Sequence, residues 1–281
     1  MDQLEFAYEY ELNEEEPPKD TPDGRRLRGD AYAERGRFED AIHQYRRAAE
    51  LDGGAADARV RLADAYHAAE MTSRAFRAYQ EALRCDPQHS EAHFAYGEFL
   101  ASLGRTGAAA AAYENAVALQ PDRAYWVCRL AEAYFRLGRL ESAFEAFERA
   151  TCIEPEDGWY HYKLADAYFR SGRIGEAVRS YRRAVLCSPL DDYYHVCLAA
   201  AYMCIDRMSD ARAVFERTVQ LRPRNACYHY LLAEVLHSVG AREEARRHYA
   251  LAGDLDDYDL DYVERVRARA ENGRVAHGRE T

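Results

Sequence analysis

The sequence has almost no lysine and no long apolar segment. Lys19 and Lys163 are the only lysines, although lysine and arginine together number 38. A membrane-spanning helix needs about 20 predominantly apolar residues in a row, so we expect no membrane insertion. The N-terminus also lacks the apolar stretch of a signal peptide. The seven cysteines are scattered and form no C-x-x-C pair, which predicts a reduced, cytoplasmic protein.

Catalytic motifs are missing as well. There is no glycine-rich phosphate loop with lysine, no H-E-x-x-H helix and no nucleophile elbow. The acidic stretch that starts at Asp254 does not match a calcium-binding loop, because its sixth position is Asp259 instead of glycine and its twelfth is Arg265 instead of glutamate. The sequence therefore predicts a protein that is not an enzyme and holds no metal or cofactor.

The net charge of −11 belongs mainly to the two ends of the chain. Residues 1–20 carry eight acids and one lysine, and residues 253–281 carry eight acids and five arginines. The body between them is close to neutral. Because a nucleic-acid-binding surface needs a basic patch or stripe, this distribution argues against a nucleic-acid partner.

A period of 34 residues runs through most of the chain. Alanine recurs at this spacing in seven places: Ala41, Ala75, Ala109, Ala143, Ala177, Ala211 and Ala245. Glycine keeps the same spacing in five places, and two other residues complete its series: Gly36, Glu70, Gly104, Gly138, Gly172, Asp206 and Gly240. Because several residue types share one spacing, the period predicts a stacked array of similar units.

One unit, residues 124–157, shows how each copy folds. Its first half places apolar side chains on one side of a helix, at i, i+3, i+4 and i+7: Val127, Leu130, Ala131 and Tyr134. Gly138 ends this helix, because glycine adopts a left-handed conformation without a Cβ clash, and a second helix starts near Leu140. Pro155 marks the next boundary. Each unit is therefore an antiparallel helix pair, which must stack on its neighbours to bury its apolar faces.

These residues resemble the tetratricopeptide repeat (TPR) family. In the copy that starts at Ala124, the residues that match the family pattern are Leu130, Ala131, Tyr134, Gly138, Ala143, Phe147, Ala150 and Pro155. The resemblance implies an all-α, right-handed superhelical solenoid of antiparallel helix pairs, continuous along the chain. The predicted copies are 22–55, 56–89, 90–123, 124–157, 158–191, 192–225 and 226–259. An acidic tail, residues 1–21, precedes them, and a capping helix and tail, residues 260–281, follow them.

The sequence pattern of the N-terminal tail is compatible with more than one conformation. Apolar and polar residues alternate from Leu4 to Asn13, as in a strand, but Leu4, Tyr8 and Leu12 would equally suit a helix ridge. Such a tail either stays passive beside the first repeat or docks on a partner or on its own repeats.

Histidine and cysteine recur at fixed positions of the repeat without ligand spacing. Positions are counted from 1 to 34 from the first residue of each copy. Four histidines stand at position 4, on the packing side, and are predicted to be partly buried structural imidazoles: His93, His161, His195 and His229. Cys85 and Cys187 stand at position 30 and are predicted to be small core residues. Three further cysteines fall on the opposite side, where reactivity or metal binding stays open: Cys128, Cys204 and Cys227.

The candidate binding surface is the side of each first helix that lies opposite its packing side. Positions 2, 5, 9, 12 and 13 cluster there on a helical wheel, and we call this surface the groove face. In a TPR superhelix it lines the concave groove. Position 9 is acidic in six of the seven copies: Asp30, Asp64, Glu98, Glu132, Asp166 and Glu234. These acids are either simply solvated or select a basic partner.

Aromatic residues enter the groove face in the second half of the chain, and such residues dominate binding hot spots. The predicted partner-binding residues are Tyr125, Cys128, Glu132, Phe135, Arg136, Trp159, Tyr162, Asp166, Phe169, Arg170, Tyr193, Met203, Tyr230 and Glu234. The residues at position 3 follow directly after Tyr125, Trp159, Tyr193 and Cys227 at position 2. Their side chains are predicted to pack between repeats instead: Trp126, Tyr160, Tyr194 and Tyr228.

The sequence thus predicts a non-enzymatic adaptor or scaffold that holds a segment of another protein, with arginine or lysine beside apolar residues. The TPR pattern that binds chaperone tails requires lysine at position 5 and asparagine at position 9, whereas the third copy has Phe94 and Glu98. A free carboxylate tail is therefore a poor fit. Two alternatives stay open: a self-assembling scaffold that forms homo-oligomers, and a metal- or cofactor-binding protein that uses cysteine and histidine of the groove.

Overall fold

The computed structural model describes residues 20–52, 56–255 and 259–277. Within these ranges the regular structure consists of fifteen α-helices and no strand. Their bounds are α1 Pro22–Glu34, α2 Phe38–Leu51, α3 Ala56–Ala68, α4 Thr72–Cys85, α5 Ser90–Ser102, α6 Thr106–Leu119, α7 Ala124–Arg136, α8 Leu140–Ile153, α9 Gly158–Arg170, α10 Ile174–Cys187, α11 Asp192–Cys204, α12 Met208–Leu221, α13 Ala226–Ser238, α14 Arg242–Asp254 and α15 Leu260–His277.

The helices repeat at the period found in the sequence. Each odd-numbered helix from α1 to α13 packs against the even-numbered helix that follows it, which forms an antiparallel pair. The fifteen helices fit seven such pairs and one terminal helix. The prediction of an all-α helical repeat is confirmed. The proposed N-terminal tail lies outside the described residues as far as residue 19.

A left-handed residue reverses the chain inside each pair. At Gly138 the φ angle is +74°, and the Arg139 N–H donates to the Tyr134 carbonyl at 3.0 Å, which closes the C-terminus of α7. Glu70 (φ 59°) and Asp206 (φ 56°) adopt the same conformation at the equivalent turns. Glycine therefore recurs in the sequence because the turn requires a positive φ angle at this position.

Small residues let the two helices of each pair approach closely. Ala143 is fully buried and Phe147 is 3% exposed, as the packing prediction requires. In α5, a Cβ added to Gly97 would lie 2.6 Å from the ring of Tyr113 on α6. Because the aromatic ring fills the space above the small residue, neither can grow without moving the other.

The chain divides into two compact units, Met1–Pro121 and Asp122–Thr281. The described part of the first unit contains α1–α6, and that of the second contains α7–α15. Each unit is built from stacked helix pairs. The single continuous array and the repeat bounds given above stay predictions.

The terminal helix α15 begins at Leu260, and Asp259 caps its N-terminus, since Asp259 Oδ1 accepts a hydrogen bond from the Tyr262 N–H at 2.9 Å. Its packing partners are the first helices of three successive pairs, α9, α11 and α13, with α11 the main one. The helix therefore lies across several pairs and does not rest on the last pair alone.

The prediction for Cys85 and Cys187 was wrong. Cys85 is exposed and Cys187 is half-buried, although both were expected in the core. Position 30 falls in the last turn of a second helix, where Leu51 is also 38% exposed. The apolar character of position 30 in other copies therefore does not report complete burial.

Candidate functional site

A histidine at position 4 attaches four of the seven first helices to the loop that precedes them. The Nε2–H groups of His161 and His195 donate to the carbonyl oxygens of Pro155 and Pro189 at 3.0 and 3.1 Å. His93 and His229 make the equivalent bonds, to Pro87 and Pro223. A carbonyl oxygen only accepts, so these ring nitrogens carry the hydrogen. The prediction of structural imidazoles is confirmed.

Each position-9 acid of the first unit accepts a hydrogen bond from a tyrosine of its own helix pair. The Tyr45 hydroxyl donates to Asp30 at 2.7 Å, and two further pairs repeat this contact fifteen residues apart: Tyr79 with Asp64 and Tyr113 with Glu98. This arrangement was not predicted from the sequence, although the copy that has Ala200 in place of the acid also has Phe215 in place of the tyrosine. In this unit the position-9 acids therefore serve as internal hydrogen-bond acceptors.

Glu132 on α7 departs from this pattern, because its copy has Phe147 where a tyrosine would donate. Its carboxylate instead accepts from Arg129 Nη1 at 2.5 Å and from Lys163 Nζ at 2.6 Å. Lys163 also lies 5.0 Å from the ring centroid of Trp159. One acid thus fixes a cation against the tryptophan, and this arrangement keeps the indole in place.

Four aromatic side chains of α7, α9 and α11 form a partly exposed cluster that we call the aromatic patch, in which Trp159 and Tyr162 are half-buried: Tyr125, Trp159, Tyr162 and Tyr193. Tyr125 stacks on Trp159 with ring centroids 6.0 Å apart, and the hydroxyls of Tyr162 and Tyr193 lie 3.2 Å apart. Tyr125 is 46% exposed and Tyr193 is 45% exposed. The structure brings these predicted residues together on one surface.

The neighbouring aromatic series is buried, as predicted. Trp126 is 8% exposed, and the members that follow at the 34-residue step are similarly buried: Tyr160, Tyr194 and Tyr228. A shift of one residue on the helix thus separates packing side chains from groove-face side chains.

Phe135, Arg136 and Arg170 lie at the C-terminal ends of α7 and α9. The Arg170 guanidinium carbon is 4.7 Å from the Phe135 ring centroid, and Arg170 Nη1 is 3.8 Å from Asp166 Oδ2. Arg136 is exposed. Two of these predicted residues thus meet through a cation–π contact, and Arg136 adds a positive charge at the end of α7.

Five predicted residues contact α15, and we call them the covered groove: Asp166, Phe169, Met203, Tyr230 and Glu234. Arg267 Nε donates to Glu234 at 3.0 Å, and its Nη2 donates to the Tyr230 hydroxyl at 2.9 Å.

Two other arginines of α15 reach neighbouring helices of the covered groove. Arg269 Nη2 donates to Asp166 Oδ1 at 2.7 Å and also to the Tyr181 hydroxyl. Arg274 Nε donates to the Met203 carbonyl at 3.0 Å. The occupation of this surface by the chain's own helix was not predicted from the sequence.

The apolar side of α15 completes the contact. Val263, Val266 and Ala270 are 0%, 6% and 4% exposed. At Gly273 an added Cβ would lie 2.4 Å from Cys204 Sγ and 2.9 Å from the Phe169 ring. The helix therefore lies directly against α9 and α11, and the covered groove accepts an amphipathic helix with small residues at its closest approach.

Family models agree with this architecture. Residues 26–90 and 78–111 each match a tetratricopeptide repeat model, and residues 131–172 match a TPR repeat model. The chain is a tetratricopeptide repeat protein. A further part of this TPR protein, residues 160–224, matches the model of the bacterial transcriptional activator domain.

Solved structures show the same fold at low sequence identity. The C-terminal part of a TPR repeat-containing protein from Cytophaga hutchinsonii is 17% identical, with a TM-score of 0.67 over 85% of this chain and 98% of that chain. PilF from Pseudomonas aeruginosa is 21% identical, with a TM-score of 0.59 over 76% of this chain and 97% of that chain. YrrB, described as a TPR protein with an unusual peptide-binding site, is 18% identical, with a TM-score of 0.53 over 68% and 97%. No curated protein gives a significant match.

The cysteines of this TPR protein are free, and those predicted on the groove side are buried. Cys128 is fully buried, so its assignment to the partner-contacting surface is corrected. Burial raises the pKa of the Cys204 thiol to about 11, which leaves little of the reactive thiolate at neutral pH. Across the described ranges, no group of three or more histidine, cysteine or acidic residues is arranged to hold a metal ion.

The TPR fold is generally a scaffold for protein–protein interaction, and proteins built from it are typically not enzymes. None of the described helices combines the length and the apolar character that crossing a membrane requires. The groove face of the second unit thus has two surfaces, a partly exposed aromatic patch and a groove already covered by α15.

Proposed function

We propose that this TPR protein is a non-enzymatic adaptor that binds a segment of another protein on the groove face of its second unit. The observation that carries the proposal is the aromatic patch, in which Tyr125, Trp159, Tyr162 and Tyr193 group on adjacent first helices with two of them nearly half exposed. Tyrosine and tryptophan supply large contact areas at a small entropic cost, and they are enriched among hot-spot residues.

The charges of this face favour a segment that is basic as well as apolar. Asp166 and Glu234 already accept hydrogen bonds from arginines, so their surroundings suit a guanidinium group. Acids on a binding face also accelerate the approach of a basic partner. The partner we propose is therefore a protein segment with arginine or lysine beside apolar residues, and it meets the adaptor in the cytoplasm, where the free cysteines stay reduced.

The structural neighbour YrrB supports peptide binding as a role for this fold, since that protein is described by its peptide-binding site. The metal-binding alternative has less support, because Cys128, Cys204 and Cys227 are buried and no ligand cluster accompanies them in the residues that the structure covers. We therefore retain the protein-binding role.

Selection of peptides from a displayed random library on the native protein tests the proposal. The selected peptides should combine arginine or lysine with apolar residues. Their affinity for Trp159→Ala should fall by roughly 30-fold, which corresponds to a hot-spot loss of about 2 kcal/mol. Leu186→Ala is the matched control, because Leu186 is 67% exposed on a second helix. Peptides that bind Trp159→Ala as tightly as the wild type would show that the partner uses another surface.

A further inference from the structure

The helix α15 has the features of a bound ligand of the groove face. Its buried residues follow the spacing i, i+3, i+7 and i+10 at Val263, Val266, Ala270 and Gly273. We infer that α15 is an internal ligand, and that the partner of the covered groove is an arginine-bearing amphipathic helix that displaces it. This inference rests on the proposed function, since it names the partner's chemistry and the control of access to the same face.

Charge complementarity carries the first part of the inference. Arg267 pairs with Glu234 on α13, and Arg269 pairs with Asp166 on α9 at 2.7 Å. The side chains of Arg269 and Asp166 are 24% and 22% exposed, so solvent screens this pair only in part. The two acids thus specify two guanidinium groups that are two residues apart on the incoming helix.

The close approach of α15 to α9 and α11 at Gly273 supports the requirement for small residues in the partner helix. Gly273 lies inside a helix, where glycine is less favourable than all other residues except proline. Its position is explained by the space available, because an added Cβ would overlap Cys204 and the Phe169 ring. Cys204 Sγ also donates to the Ala270 carbonyl at 3.1 Å. A partner helix therefore needs glycine or alanine at the positions equivalent to Ala270 and Gly273.

The fit of α15 is incomplete, which makes displacement possible. The Nε of Arg269 is buried and has no hydrogen-bond partner among the described residues. A cleft of about 510 Å³ remains beside the helix, and its lining includes Arg170 of α9 together with Arg265 and Asn272 of α15. Because an unpaired buried donor weakens an interface, a helix that pairs it and fills the cleft would bind more tightly than α15.

The covered groove is continuous with the aromatic patch. Tyr181 bonds Arg269 and lies between the two surfaces, with its ring centroid 6.4 Å from Phe169 and 6.2 Å from Tyr162. A partner that replaces α15 can therefore extend onto the patch. This extension gives the partner an advantage that offsets the tethering of α15 to its own groove.

The experiment measures the affinity of a fluorescent peptide with the sequence of residues 259–277 for the full-length chain. In the wild type, the tethered helix competes at an effective concentration in the millimolar range. Gly273→Leu forces a large side chain against Cys204 and Phe169 and should release α15. We expect this variant to bind the peptide at least 10-fold more tightly than the wild type, as measured by fluorescence anisotropy.

Three controls keep the result interpretable. Glu271→Leu places leucine on the exposed side of the same helix and should leave the wild-type affinity unchanged. A peptide that carries Arg269→Glu should bind neither protein, since it meets Asp166 with like charge. If Gly273→Leu does not fold, as judged by circular dichroism, Arg269→Glu in the full-length chain provides the second released variant.

Two results would overturn the inference: equal affinity of the peptide for the wild type and the released variant, or no binding to either. These outcomes differ from a failure of the proposed function. Peptides selected on the native protein that depend on Trp159 would keep the aromatic patch as a binding surface even when the peptide of residues 259–277 does not bind. Conversely, the peptide of residues 259–277 could bind Gly273→Leu more tightly while the selected peptides bind Trp159→Ala as tightly as the wild type. This result would refute the aromatic patch as a binding surface and support α15 as an internal ligand.

Discussion

Among the described residues, Glu70 and Asp206 are left-handed without being glycine, and replacing them with glycine should stabilise the protein. Glu70 and Asp206 have φ angles of 59° and 56° at the turn that glycine occupies in five other copies. The left-handed conformation costs a residue with a Cβ roughly 1–2 kcal/mol, and glycine avoids this cost. Part of the resulting stabilisation is lost, because glycine has more conformational freedom in the unfolded chain. We expect Glu70→Gly to raise the free energy of unfolding by about 1 kcal/mol, and Asp206→Gly by about half as much, since aspartate tolerates this conformation better.

Urea unfolding followed by circular dichroism measures both effects. Glu70 belongs to the first compact unit and Asp206 to the second, so each variant should shift the transition of its own unit if the two unfold separately. Gly138→Ala is the reciprocal control, and it should lower the free energy of unfolding by about 1 kcal/mol because alanine must then adopt φ +74°. A lower midpoint for Glu70→Gly, or an unchanged one for Gly138→Ala, would refute the reasoning about this turn.

Further predictions concern packing, hydrogen bonding and pH. Gly97→Ala should lower the melting temperature, because the new Cβ would lie 2.6 Å from the Tyr113 ring. Tyr113→Phe should cost about 1 kcal/mol in urea unfolding, since Glu98 loses a donor. Burial, and then the neighbouring His229, lower the pKa of His248. A lowered folded-state pKa stabilises the protein above about pH 6.5, and this stability is lost as pH falls through the folded value. His248→Gln should therefore flatten the decline in unfolding free energy below that pH.

The repeat spacing predicted most of the fold. The turn at Gly138 and the start of α8 at Leu140 followed from the left-handed preference of glycine and from helix periodicity. The separation of Trp126 from Trp159 followed from the helical wheel, because adjacent positions of a helix point in different directions.

The place of α15 could not be predicted in this way. The sequence indicates a helix after Asp259, but the pattern of one helix does not specify which surface of the chain receives its apolar side. The burial of Cys128 was missed for a similar reason. A wheel drawn for α7 alone places Cys128 toward the groove, whereas burial depends on side chains that neighbouring helices contribute.

The location of a bound peptide tests the central claim most directly. A photoreactive phenylalanine analogue at Tyr193, on the groove face, is compared with the same analogue at Leu186, on a second helix, where both native side chains are exposed. A peptide selected on the wild-type protein should crosslink at Tyr193 and not at Leu186, and excess unlabelled peptide should abolish the product. Crosslinking at Leu186 with none at Tyr193 would contradict the assignment of the groove face as the binding surface.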